Sequence, residues 1–545
     1  MVITNPEQFL RPPEDNEEYE AVYREPSNYN PLATFNLAPG ESRHYQQQYA
    51  DMYFLRLTRL KPAVTEIAAS AWDGFNIAGE KARRVDRVLD VRQGELCWVV
   101  GTVYMDLPLK PNILDDIAKE HWTAAPPPRA TYRDPTNQSV AETMLEDESG
   151  RLRLTGTLLQ SAVLVTGAVV AVLGTENANG DFEVIDVKVP DLPPQPERWE
   201  RDTAVAPGKR KRETTEDSDS TERKPRKKIA LVSGLNITGT SGDSVALSLL
   251  TDYLLGYGDT GAESSQISRL IIAGNSLGSS AASEVEDSAE DPSSNNKKRQ
   301  FNRKYGYDAS AYNASPITHL DNFLAEILPS IPVTLMPGEN DPANFSLPQQ
   351  QIHRAMLPRA KAYCSPAIHR GSDASSEPGW LDNVTNPWQG DVEGWRFWGC
   401  SGQNVDDVLR YINLDEEAGD EAEKDGNARM RLMEAMLRWR CGVPTAPDTI
   451  WCYPFQDNDP FVLQACPHVF FAGNQPQFRT VVIEGASSAS SDDSPGEKDT
   501  RVRLLALPKF SETGELVLLD SETLEVEIVR FGPVNSTPVK EELSS

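Results

Sequence analysis

Ile331-Pro332-Val333-Thr334-Leu335-Met336-Pro337-Gly338-Glu339-Asn340-Asp341-Pro342 joins an apolar, β-prone run to a polar loop. The abrupt stop at Pro-Gly predicts a buried strand that delivers the loop at its C-terminal end. In open α/β sheets, ligands and chemistry sit at such ends. Three other runs stop in a similar way: Leu231-Val-Ser-Gly-Leu-Asn236, Ala273-Gly-Asn-Ser-Leu-Gly278 and Ala472-Gly-Asn-Gln-Pro476.

Between these runs the pattern alternates strand and helix. Helical spacing at Val245, Leu249, Leu250 and Leu254 and again over Leu320 to Leu328 predicts βα units around a parallel sheet. Downstream, a strand is predicted over Val392–Trp398, a helix through Val405, Val408, Leu409 and Ile412, and a Met-rich helix through Met430, Met433 and Met436. Strands are expected at Thr449–Tyr453 and Val469–Ala472. Three more at Arg501–Leu507, Glu515–Leu519 and Glu525–Phe531 are expected to build a second sheet.

Upstream, a helix with a break at Pro62 precedes short strands punctuated by glycine, with Asn179-Gly180 as a hairpin turn. This pattern suggests a small Greek-key barrel of the OB type. The expected organisation is a flexible arm over 1–40, a helical lead-in and barrel over 41–190, and a disordered linker over 191–227. An α/β domain over 228–535 follows, with a disordered insertion at about 279–311, and then a tail over 536–545. Within the linker, Lys209, Arg210, Lys211 and Arg212 and then Arg223, Lys224, Arg226, Lys227 and Lys228 have the spacing of a two-part nuclear import signal.

The 545 residues carry 82 acidic against 53 basic side chains, a net charge of -29. Phosphate binding needs clustered cations, so an extended nucleic-acid footprint is excluded and any DNA contact is indirect or weak. Six scattered cysteines without a C-x-x-C pair suggest neither a zinc ribbon nor a redox dithiol. No apolar run approaches the roughly 18 residues of a membrane span, and a soluble nuclear protein is expected. The six histidines lack metal-ligand spacing.

In chain order the four loops resemble those of calcineurin-like metallophosphoesterases, whose patterns are D-x-H, G-D-x-x-D, G-N-H-D and G-H-x-H. Gly234 and Asn236, Asn275 and Gly278, Glu339 and Asn340, and Asn474 and Pro476 stand at the ligand positions. A binuclear centre about 3.5–4 Å across needs carboxylates and imidazoles, which these residues do not supply. The expectation is therefore a phosphoesterase-type scaffold without catalytic residues, metal or cofactor. An active metal-dependent phosphoesterase is the alternative. Gly274-Asn-Ser-Leu-Gly278 also fits G-x-S-x-G, with Asp341 and His468 in triad order, but no oxyanion loop precedes it.

A barrel followed by such a domain resembles the B subunits of eukaryotic replicative DNA polymerases. Met336–Gln350, Gly399–Asp407, Pro444–Thr449, Cys452–Phe455 and Cys466–Val469 are similar to the delta branch. The resemblance implies a scaffold in replication and repair. It would hold the cysteine-rich C-terminal domain of the delta catalytic subunit and dock the third, clamp-tethering subunit, and it would be shared with the translesion polymerase zeta catalytic subunit. Trp380, Trp388, Trp395 and Trp398 are candidate interface anchors.

Overall fold

A computed structural model of the chain describes residues 23–38, 40, 43, 50–77, 79–111, 130–133, 142–198, 227–240, 244–257, 260–278, 313–364, 379–412, 421–485 and 500–532. The insertion, the C-terminal tail and most of the basic clusters lie outside the described residues.

Strand β1 (Tyr29–Pro31) and helix α1 (Ala50–Trp72) come first. Met52, Arg56, Leu60, Val64, Ala68 and Trp72 recur every fourth residue on α1 and are all buried. This unbroken stripe carries the helix through Pro62, whose ring points to solvent, so the expected break is absent.

Strands β2 (Asn76–Ile77) and β3 (Glu80–Lys81) form a small hairpin. The barrel consists of β4 (Arg83–Arg84), β5 (Leu96–Asp106), β6 (Glu142–Glu146), β7 (Arg151–Thr155), β8 (Val169–Glu176) and β9 (Phe182–Lys188). Its strand order is β4-β5-β6-β7-β9-β8, and pairing of β5 with β8 closes it. Gly180, at φ 84°, turns β8 into β9. Helix α1 packs across β5 and β8.

The second unit stacks two mixed sheets. One contains β10 (Lys228–Val232), β11 (Ile267–Ala273), β12 (Val333–Met336) and β13 (Leu381–Asn383), all parallel. The other contains β14 (Trp388–Val392), β15 (Trp395–Cys400), β16 (Val469–Gln475), β17 (Arg479–Glu484) and β18 (Arg501–Pro508). Finally β19 (Glu515–Asp520) and β20 (Val526–Arg530) return to extend the first sheet beyond β10. The last three strands are thus divided between the sheets, and β17 completes the second one.

Leu231, Ile271 and Met336 face Phe397, Phe471 and Leu505 across the gap between the sheets. Helices α2 (Ser244–Leu255) and α3 (Ser315–Ile327) cover the outside of the first sheet. Helices α4 (Gln403–Leu409) and α5 (Glu421–Arg438) cover the second. On α2, Leu250 and Leu254 face inward while Val245 and Leu249 face solvent. The core beneath α4 and α5 continues without interruption into the barrel interior, from Trp398 and Met433 to Val99 and Val172.

Several expectations are corrected. Residues 23–38 are not a free arm: β1 pairs with β14, Tyr29 stacks on Trp388 and Phe35 meets Trp398 and Phe461. Residues 191–198 are not a free linker. Asp191 pairs with Arg438, Cys466 N–H donates to Pro194 O (2.9 Å), and Arg198 covers the Trp395 ring. Lys227 and Lys228, counted with the second basic cluster, belong to the folded body, where Lys228 opens β10 and pairs with Glu527 (2.6 Å).

Val392–Trp398 is a hairpin, because Glu393 and Gly394 both take positive φ and reverse the chain. Thr449–Tyr453 contributes only a single bridge, Cys452 to Leu347. Trp388 and Trp398 are 2% and 1% exposed, so they are core rather than interface anchors. Trp395 is half-buried and donates its indole N–H to Ser521 O (2.6 Å). Only Trp380 of the four, at 47%, is open to solvent.

Candidate functional site

The four predicted loops meet where the C-terminal ends of β10, β11 and β12 face that of β16. Main-chain bonds knit the first two together. Gly234 N–H donates to Gly274 O (3.0 Å), Asn236 N–H to Asn275 O (3.0 Å) and Ile237 N–H to Ser276 O (2.9 Å). Asn236, Asn275 and Asn474 adopt left-handed backbones with φ 47°, 51° and 57°, a conformation Asn tolerates better than most residues.

The centre of the site is filled by its own polypeptide. A methyl group on Gly338 would lie 2.3 Å from Asn275 N, and one on Gly473 would lie 2.3 Å from Ala273 O. One on Gly234 would lie 2.7 Å from Asn474 Oδ1. Glycine is required here for close approach of main chain to main chain.

Most of the polar side-chain atoms are engaged with protein, while buried Asn474 Oδ1 and Ser276 Oγ meet no hydrogen-bond partner among the described residues. Asn236 Nδ2 donates to Ser511 Oγ (2.8 Å), Asn340 N–H to Asn275 Oδ1 (3.1 Å) and Asn474 Nδ2 to Ser401 O (2.8 Å). Buried Asp341 accepts N–H bonds from Leu277 (2.9 Å), Gly338 (2.8 Å) and Ser276 (3.2 Å). Burial pushes its carboxyl up to about 6 against the opposing pull of these donors. Glu339 and Asn340 are exposed at the rim, as is Pro476, and Gly278 offers no side chain.

This donor set does not fit two bridged divalent cations, and among the described residues no three His, Cys, Asp or Glu side chains gather as metal ligands. Nor is a serine triad assembled. Ser276 is fully buried, and Asp341 is committed to main-chain donors. His468 precedes β16 at the end opposite Asn474, roughly 20 Å away at about 3.3 Å per residue. Its Nδ1 accepts from Arg396 N–H (3.0 Å), and burial beside Arg396 lowers its pKa to about 4.

Two polar clusters that the sequence reading missed join the barrel to the second unit. Arg56 of α1, fully buried, donates to Asp459 Oδ2 (3.0 Å) and to Pro444 O (2.7 Å). Buried Asp407 accepts from Tyr132 Oη (2.6 Å) and Thr445 Oγ1 (2.6 Å). The signal for the first was a cation at a stripe position of α1. The second is non-local and had none.

The cations on the barrel are largely committed. Arg83 pairs with Glu95, Arg84 with Asp86, Arg87 with Asp90, Arg151 with Glu146 and Arg153 with Glu142. With α1 across one face, the described residues of this barrel form no open basic groove, lined with aromatics, like that of a single-strand binder.

An OB barrel joined to a phosphoesterase-type α/β sandwich defines a polymerase B-subunit architecture, and comparison with known families agrees. Residues 229–480 match the family model of the DNA polymerase alpha/epsilon B subunit, and residues 48–187 match that of the DNA polymerase delta subunit OB-fold domain. The chain is 34% identical to the DNA polymerase delta small subunit of Saccharomyces cerevisiae, over 92% of this chain and 93% of that protein. It is 33% identical to the small subunit of Arabidopsis thaliana (93% and 96%) and 32% to DNA polymerase delta subunit 2 of Drosophila melanogaster (89% and 94%). The chain belongs to the DNA polymerase delta small-subunit family.

Proposed function

We propose that the chain is a non-catalytic accessory subunit of polymerase delta. It bridges the cysteine-rich C-terminal domain of the catalytic subunit and the third, clamp-tethering subunit, and it is available to the polymerase zeta catalytic subunit. The observation that carries this reading is the closure of the four-loop centre. Main chain packs closely on main chain across the four loops, and the buried carboxylate there, Asp341, is spent on main-chain donors. The paired surface cations and the net charge of -29 favour assembly through protein contacts, with DNA held by the partners. The basic clusters within 209–226 fit nuclear delivery.

Co-expression with a B-family catalytic subunit and the third subunit tests this. A stoichiometric complex is expected, together with no hydrolysis of a generic phosphodiester in Mn²⁺ by the isolated chain. Turnover lost on Glu339→Ala, with two bound metals per chain, would overturn it.

A further inference from the structure

Beside the closed centre lies an open cleft to which the accessory role assigns no task. Phe345, 73% exposed, stands at its mouth, and Leu347, Ile450 and Trp451 form its apolar floor and wall. Phe345 is held rather than loose. Asn344 Nδ2 donates to Pro348 O (3.3 Å), Gln350 N–H donates to Asn344 Oδ1 (2.6 Å), and Gln349 Nε2 donates to Asn344 O (3.2 Å). The opposite wall is pinned to the same loop, because Leu347 N–H donates to Trp451 O (2.8 Å) and Tyr453 N–H to Leu347 O (2.7 Å). A large apolar side chain displayed on a rigid loop is the composition of an interface anchor.

The charge at the rim selects the partner. Glu339 is exposed and makes no hydrogen bond or ion pair among the described residues, whereas Asp406, its side chain 40% exposed, is already paired with Arg429. The one cation lining the cleft among the described residues, Arg410, is turned onto Asp407 (3.6 Å) and Tyr132 (3.3 Å). The mouth is thus acidic and apolar, which repels phosphate and favours a polypeptide that combines an apolar side chain with Lys or Arg.

We infer that this cleft, which opens beside Glu339 at the edge of the closed four-loop centre, docks an extended segment of a partner protein. The segment buries an apolar side chain against Phe345 and Trp451 and sets a cationic side chain near Glu339. The inference rests on the accessory-subunit reading for its partner class.

Two labelled synthetic peptides with the same Leu and Trp anchors, one flanked by Lys and Arg and one by Glu, are titrated against the full chain by fluorescence anisotropy. The basic peptide is expected to bind at least about tenfold tighter than the acidic one. Phe345→Ala and Glu339→Lys are each expected to weaken it by about tenfold with an unchanged circular dichroism spectrum. Rising salt is expected to weaken it as well.

Equal binding of both peptides, no binding of the basic one, or indifference to both substitutions overturns the inference. So does tighter binding of single-stranded DNA, a Phe345-dependent dimer in sedimentation, or peptide binding that appears only after deletion of residues 112–129. Co-purification with the catalytic subunit is scored separately. If it survives while the peptide fails, the cleft assignment falls and the accessory reading stands, and the reverse outcome removes only the reading.

Discussion

Replacing Arg56 by Met keeps most of the aliphatic stem but strips the guanidinium from Asp459 and Pro444 O. Both charged side chains are 0% exposed, so the loss leaves a buried carboxylate without its cation. Breaking such a pair costs about 3–5 kcal/mol. Arg56→Ala removes the stem as well, adding about 2 kcal/mol at roughly 0.8 kcal/mol per buried methylene. In the double variant Arg56→Met, Asp459→Asn the uncompensated charge is gone, while the amide oxygen still accepts from Phe461 N–H as Asp459 Oδ1 does now (2.9 Å). The double variant is expected to recover most of the loss, to within about 1–2 kcal/mol of wild type. Urea unfolding followed by tryptophan fluorescence measures all four proteins. An Arg56→Met variant within about 1 kcal/mol of wild type, or a double variant no better than the single, would refute the assignment of this pair as a buried pin.

Gly338→Ala drives a methyl group to 2.3 Å from Asn275 N and is expected to lower stability by about 1–3 kcal/mol, read by the same denaturation curve. Asp341→Asn turns an amide N–H2 toward main-chain donors and is expected to cost about 2 kcal/mol, with increased amide exchange at Leu277 and Gly338. Tyr132→Phe removes one bond to buried Asp407 and is expected to cost about 1–2 kcal/mol. His468 is held neutral with its pKa near 4, below the ordinary value of 6.5, so the unfolded chain takes up the proton first. Its stabilising contribution is complete above about pH 6.5 and lost as pH falls toward 4. His468→Gln is expected to flatten the stability profile across that window, and an unchanged slope would remove His468 from the account.

The strand ends were legible because parallel strands buried on both faces are written as continuous apolar runs, and Ile229–Val232 and Leu270–Ala273 are such runs. The four loops were legible because each strand stops at a glycine or polar punctuation. What failed were features decided by distant chain. Residues 23–38 look like a polar arm because only Tyr29 and Phe35 are anchors, and their partners Trp388, Trp398 and Phe461 lie in the far half of the chain. Residues 191–198 owe their order to Arg438, Arg440 and Cys466, which no local pattern reveals. The tryptophans misled for a related reason. Trp388 and Trp398 lie on opposite faces of paired strands, and only the stacking of the other sheet on one side and of the helix layer and barrel on the other determines that both faces are inward.

The interior that runs from Met433 through Trp398 into Val99 makes barrel and sandwich mechanically one object. Under the proposed bridging role, anything held by the barrel and anything held by the sandwich would be kept at a set spacing and angle, so that load passes between them with little hinge play. The same continuity makes either half, cut out by itself, a poor reagent: severing it bares a broad oily surface and invites precipitation.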